Sequence, residues 1–148
     1  MAEEALSCVL LADRHHGLTE GVRGLLETAF RSVVMVADEA SLLDGASRLK
    51  PDVAIVDLSL AHEQSLGWLP ALRTRCPALK VIVLSVHDEP NVRRAVLGAG
   101  ADAFVLKRAI VTDLLPAVDL VRKETDPGAS ANERTPAPAS GSIEEEKR

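Results

Sequence analysis

A doubly wound α/β domain, with five parallel strands and helices on both faces, is the fold this sequence predicts. Three observations predict it: five short, continuous aliphatic runs, helical periodicity between them, and helix-starting or chain-turning residues at the junctions. The runs are Cys8–Ala12, Val33–Ala37, Val53–Val56, Val81–Leu84 and Ala103–Leu106. Unbroken apolar character rich in Val and Ile, instead of alternation, fits strands covered on both faces. Between the runs, Leu18, Val22, Leu25, Leu26, Ala29 and Phe30 form one helical stripe; Val92, Ala95, Val96 and Ala99 form another. A last helix carries Leu114, Leu115, Val118 and Val121. Pro70 and Pro90 suit first-turn positions, Cys76 before Pro77 looks like a helix end, and Gly98 and Gly100 punctuate the approach to the fifth strand. Thr112 is the expected N-cap of the last helix, which puts Pro116 late in its first turn. In such a sheet the ligand crevice lies at the carboxyl ends of the strands.

The 148 residues are 47% hydrophobic, enough for one aliphatic core. Phe30, Trp68 and Phe104 are too few rings for a base-stacking platform, and a net charge of −5 argues against gripping phosphate backbones. Cys8 and Cys76 have no CxxC spacing and read as reduced hydrophobes. The acidic start Met-Ala-Glu-Glu is unlike a secretory signal, and no apolar run nears the ~18 residues of a membrane span. The expectation is a cytoplasmic protein with no membrane contact.

Composition changes near Glu124. From Thr125 to Arg148, 12 of 24 residues are Pro, Gly, Ser or Ala, and Ile143 is the only large aliphatic, so residues 125–148 are expected to be a disordered tail on a domain of residues 1–124. Those 24 residues are fewer than the ~55–65 of a small independent domain. The expectation is therefore a stand-alone module that binds no DNA and signals by protein contact.

The residues at the strand ends carry the chemistry. Strand one ends at Asp13-Arg14, strand three at Asp57, strand four at Ser85 and strand five at Lys107. A carboxylate facing a lysine and a hydroxyl is what accepting a phosphoryl group needs: a nucleophilic oxygen, with cationic and hydrogen-bonding partners for the phosphoryl oxygens.

Four segments, Val9-Leu-Leu-Ala-Asp-Arg-His15, Asp52-Val-Ala-Ile-Val-Asp-Leu58, Val81-Ile-Val-Leu-Ser-Val-His-Asp88 and Gly98-Ala-Gly-Ala-Asp-Ala-Phe-Val-Leu-Lys107, resemble the receiver domains of two-component response regulators. The resemblance covers residues 7–124 and is closest in pattern to receivers of LuxR-type regulators. It implies a flavodoxin-like (βα)5 receiver fold and a role in phosphorelay signalling, not an enzyme. By the resemblance, Asp57 is the phosphoacceptor and becomes 4-aspartylphosphate. Lys107 and Ser85 contact the phosphoryl group, and Ser85 and Phe104 form the switch. Ser59 and His87 tune dephosphorylation, and Asp13, Asp57 and Ser59 hold Mg²⁺. The implied partners are a histidine kinase or phosphotransfer protein and a downstream protein. A homodimer stays open.

The chain departs from the family at Arg14, where receivers carry a second acid that binds the metal. Three carboxylates and one lysine sum to −2 and match a divalent ion; Asp13, Asp57, Arg14 and Lys107 sum to zero. One charge pair at ~4 Å is worth up to about 4 kcal/mol at an effective dielectric near 20. Arg14 either competes with Mg²⁺, even pairing with Asp57 as a fixed substitute, or points outward and leaves the site one ligand short. The second function this allows is a phosphorylation-independent pseudo-receiver adaptor. An enzyme is the weakest reading: Ile55–Leu60 faintly resembles haloacid-dehalogenase-type phosphatases, which need an acid where Ser59 stands, and no Walker A pattern is present.

His15-His16 do not converge on a metal at adjacent loop positions, and His62 reads as a surface residue. Arg93-Arg94 reads as a solvated helix face, with the border of a partner surface as the alternative, since that helix adjoins the Ser85 and Phe104 elements.

Overall fold

The structure, a computed structural model, describes residues 6–14, 16–61 and 65–123. His15, His62 and the expected tail at 125–148 lie outside the described residues. The chain divides into two units, Met1–Val118 and Asp119–Arg148. The first holds the sheet; of the second, only the end of the last helix is described.

In chain order the elements are β1 (Leu6–Ala12), α1 (His16–Leu26), β2 (Phe30–Val36), α2 (Glu39–Leu49), β3 (Val53–Asp57), α3 (Trp68–Arg75), β4 (Lys80–Ser85), α4 (Pro90–Gly98), β5 (Ala103–Leu106) and α5 (Ile110–Lys123). Short 3₁₀ turns at Leu58–Leu60 and Lys107–Ala109 follow β3 and β5. The five strands form one parallel sheet in the order β2-β1-β3-β4-β5. The order reverses between β1 and β3, so their carboxyl ends flank the crevice that such sheets use for ligands.

The three central strands are the most buried. Val53–Asp57 of β3 and Val81–Ser85 of β4 are buried throughout. On one face Leu10, Ala54, Val56, Val81 and Val83 pack with Leu42 and Ala46 of α2, Trp68, Leu69 and Leu72 of α3, and Val96 of α4. Alternation sends Val9, Leu11, Ile55, Ile82 and Leu84 to the other face, the side of Val22 and Leu26 from α1 and Leu114 from α5. At about 1.5–3 kcal/mol for each fully buried aliphatic side chain, this double layer is the main source of stability.

The structure corrects four expectations. Val33–Val36 of β2 are only half-buried and Val105 alone is buried in β5, because both are edge strands with one flank unpaired. Ala95 is exposed, so the buried line of α4 narrows to Val96 with Val92 and Ala99 at its margins. Phe30 opens β2 instead of closing α1, which ends at Leu26 with Thr28 Oγ1 donating to the Leu25 carbonyl at 2.7 Å. Thr112 is not an N-cap. The 3₁₀ turn at Lys107–Ala109 runs directly into α5, and Thr112 Oγ1 donates to the Ala109 carbonyl at 3.2 Å from inside it. Pro116 therefore sits in the helix interior, on an exposed position.

A contact absent from the sequence reading locks the amino-terminal side of β4 and β5. The Arg73 guanidinium donates to the Gly100 carbonyl at 2.7 and 3.0 Å, to the Leu79 carbonyl, and to the Asp102 carboxylate. Asp102 also accepts the Val81 N–H at 2.8 Å. Gly100, with φ +122°, permits the chain reversal that aims its carbonyl at Arg73. Arg73→Ala strands a largely buried carboxylate and two carbonyls, and should lower unfolding free energy by about 2–3 kcal/mol in a denaturant titration. A change within about 0.5 kcal/mol would show the contact to be passive.

Candidate functional site

Burying a charge is costly unless it is paired, so the buried polar groups of a small domain mark where it has something to do. Among the described residues these are Asp13, Asp57 and Ser85, each at most 3% exposed, and all three lie at the carboxyl edge of the sheet. Asp13 follows β1, Asp57 closes β3 and Ser85 closes β4. Register places them side by side: Ala12 pairs with Val56, Asp57 with Leu84, and Ser85 with Leu106, the residue before Lys107.

Lys107 reaches back across β4 to this edge. Its Nζ donates to Asp57 Oδ2 at 2.5 Å and lies 3.8 Å from Asp13 Oδ2. The other Asp57 oxygen, Oδ1, accepts the Ser59 N–H at 3.0 Å, a bond made available by the 3₁₀ turn that begins after Asp57. Burial pushes the Asp57 carboxyl up, but the Lys107 ammonium and the Ser59 N–H outweigh it and hold the carboxyl below the usual carboxylate range. Asp57 is thus an anionic, oriented carboxylate with a cation at its side.

Ser85 Oγ accepts the His87 N–H at 2.9 Å, which ties the hydroxyl to the loop after β4. The His87 ring places Nδ1 3.7 Å from the Glu89 carboxylate. Phe104 is half-buried, with the Arg93 guanidinium 5.6 Å from its ring centroid, a cation–π contact between α4 and β5. Arg93 is therefore more than the solvated residue its helix position indicated. No pattern along the chain announces a contact between a helix and an edge strand.

Arg14 is exposed and, among the described residues, forms no ion pair with Asp57 or Asp13. The pairing of Arg14 with Asp57 is not formed, because Lys107 already takes that oxygen; the outward-pointing alternative is the one observed. No group of three acids, histidines or cysteines that could hold a metal ion occurs among the described residues. Both Asp57 oxygens are engaged, and Asp13, Asp57 and Lys107 sum to −1 before Arg14 is counted. The buried Ser59 Oγ has no hydrogen-bond partner, yet a neutral hydroxyl does not restore the missing charge. These residues do not fit a firmly held divalent ion.

The fold and this edge define a response-regulator receiver, and comparison with known proteins agrees. The chain belongs to the response regulator receiver domain family, whose model matches residues 9–119. It is 37% identical over 112 residues to the nitrate/nitrite response regulator NarP of Escherichia coli, covering 74% of this chain and 52% of that protein. It is 30% identical over 115 residues to the transcriptional regulator DegU of Brevibacillus brevis, covering 76% and 49%. Among solved structures, the signal receiver domain of NarL from Mycobacterium tuberculosis superposes with a TM-score of 0.73 at 28% identity, covering 80% of this chain and 98% of that one. The non-phosphorylated receiver domain of RcsB from Escherichia coli gives 0.72 at 28%, covering 80% and 94%. The chain spans about half the length of the curated relatives it matches. No helix among the described residues is long and apolar enough to cross a membrane.

A carboxyl whose folded pKa is depressed contributes stability that is present above its unfolded value and lost as pH falls through the folded one. Below about pH 4 the wild type should lose stability as Asp57 protonates, and Asp57→Asn should flatten that part of the curve. Chemical denaturation at a series of acidic pH values checks this; equal slopes for both proteins would show that the pair contributes nothing. Arg93→Ala should lower stability by about 0.5–1 kcal/mol through loss of the ring contact, read as a reduced denaturation midpoint.

Proposed function

We propose that this domain accepts a phosphoryl group on Asp57 from a histidine kinase or phosphotransfer protein in the cytoplasm, and passes the new state to a downstream protein by contact. It is a signalling module, not an enzyme with a diffusible product. The observation that carries this reading is the clustering of the buried polar groups at one sheet edge, with Lys107 Nζ 2.5 Å from Asp57. An Asp57 oxygen attacks the phosphorus in line, the donor's leaving atom keeps the electron pair, and an acyl phosphate forms. Lys107 neutralises phosphoryl charge that develops beside it. Ser85 supplies a hydroxyl donor once its Oγ–H leaves the His87 carbonyl, to which it donates at 3.3 Å, and that release loosens the loop leading into α4. Phe104, under Arg93 on the same helix, is where the change would be read as a ring rearrangement. Ser59 and His87 flank the reacting carboxylate and hydroxyl by two positions and set how water reaches the acyl phosphate.

The adaptor reading, in which phosphorylation plays no part, is favoured by Arg14 alone. Against it stands the anionic, lysine-paired Asp57, an arrangement costly to bury if no reaction used it.

The test is intact-mass analysis after incubation with acetyl phosphate. The wild type should gain one acid-labile, hydroxylamine-sensitive phosphoryl group, and Asp57→Asn none. Lys107→Ala should label about 10²-fold more slowly through loss of one charge-stabilising donor. Labelling that persists in Asp57→Asn would place the nucleophile elsewhere.

A further inference from the structure

The misfit between this site and a divalent ion has a quantitative form. Exchanging an acid for arginine changes the local charge by +2, which is the charge of the ion that the acid would help to hold. An acidic receiver site of three carboxylates and one lysine reaches zero only with a divalent cation bound. Here Asp13, Asp57, Lys107 and Arg14 reach zero with no ion at all.

Arg14 is also placed to use its charge. It follows Asp13, whose carboxylate is buried 3.8 Å from the lysine that grips Asp57, so its backbone is anchored at the edge of the site. Its own side chain is exposed and, among the described residues, has no partner that it must leave. A guanidinium offers two parallel N–H donors that match two phosphoryl oxygens, and it stays charged at any physiological pH. Asp57 takes Lys107 on one oxygen and the Ser59 N–H on the other, so Lys107 is the cation that the described residues place beside a phosphoryl group there, and a dianion calls for further positive charge.

We infer that Arg14 is a phosphoryl-binding residue that takes the place of the divalent ion, making this receiver's acceptor chemistry independent of metal. The inference rests on the reading of Asp57 as phosphoacceptor. With acetyl phosphate as donor, the Asp57 carboxylate forms an O–P bond, the bond from phosphorus to the acetyl oxygen breaks, and acetate leaves with the electron pair. No proton is transferred, and a total charge of −3 is conserved. Lys107 and Arg14 together neutralise the phosphoryl dianion. The consequence is a receiver whose response does not follow free Mg²⁺.

The experiment follows acetyl phosphate labelling by intact mass, with Mg²⁺ or with EDTA, alongside calorimetric titration of Mg²⁺ into the full chain. Wild type should label at rates within about twofold in the two conditions and give no saturable heat at millimolar Mg²⁺, while Arg14→Gln in EDTA should fall by about tenfold or more. Arg14→Asp should gain Mg²⁺ binding, and its labelling should become dependent on the ion. The inference is overturned if EDTA slows the wild type by about tenfold, if wild type binds Mg²⁺ as Arg14→Asp does, or if Arg14→Gln in EDTA matches wild type. If wild type is silent and Arg14→Asp labels Asp57 with Mg²⁺, the acceptor reading stands and the role of Arg14 falls. If no variant labels, or Asp57→Asn still does, both fall.

Discussion

The ion pair between Lys107 and Asp57 is the constraint around which the carboxyl edge of this domain is arranged. Both partners are almost removed from water, so neither could be charged there without the other. Asp57 ends β3 and Lys107 follows β5, with β4 between them. The pair can close only if the three strands run parallel and in register, so that all their carboxyl ends lie on one side. The 3₁₀ turn after β3 adds the Ser59 N–H on the other Asp57 oxygen, and the one after β5 begins at Lys107 itself. The aliphatic layers on both faces supply the free energy that makes burial of these charges tolerable.

The opposite end of β4 and β5 is held by the same kind of interaction used differently. Arg73 and Asp102 also form a carboxylate–cation pair, but their remaining hydrogen-bonding capacity is spent on the backbone at Leu79, Val81 and Gly100. Asp57 and Lys107, by contrast, face a crevice and one another. One pair is closed on the backbone of the fold; the other is buried among the polar groups at the carboxyl edge of the sheet. Arg14 extends that distinction: a cation at the crevice with no structural partner among the described residues is free to meet an incoming anion.

Much of the fold was legible along the chain because its signals are local. Five aliphatic runs and the prolines at Pro70 and Pro90 report on neighbouring residues, and all five strands lie where the runs predict. Elsewhere a neighbouring turn or the packing of the folded chain outweighed the local signal. Ala95 shares the period of a buried stripe, yet the narrow packing of α4 leaves it exposed. Thr112 has the chemistry of a cap, yet the turn that carries Lys107 starts the helix two residues earlier. Phe30 fits the stripe of α1, yet pairing with Leu6 draws it into β2.

By itself, the sequence determined the class of fold, the order of its elements, and the choice of residue types at the strand ends, including the replacement of an acid by Arg14. These follow from periodicity and position, which a linear chain carries in full. Tertiary structure alone decided which cation meets which carboxylate. Asp57 had two candidate partners, Arg14 and Lys107, and charge could not choose between them. The geometry of the sheet did: Lys107, directed inward across β4, reaches Asp57, whereas Arg14 leaves the end of β1 toward solvent. Ion pairing depends on separation in space, and separation in space is what a chain acquires only by folding.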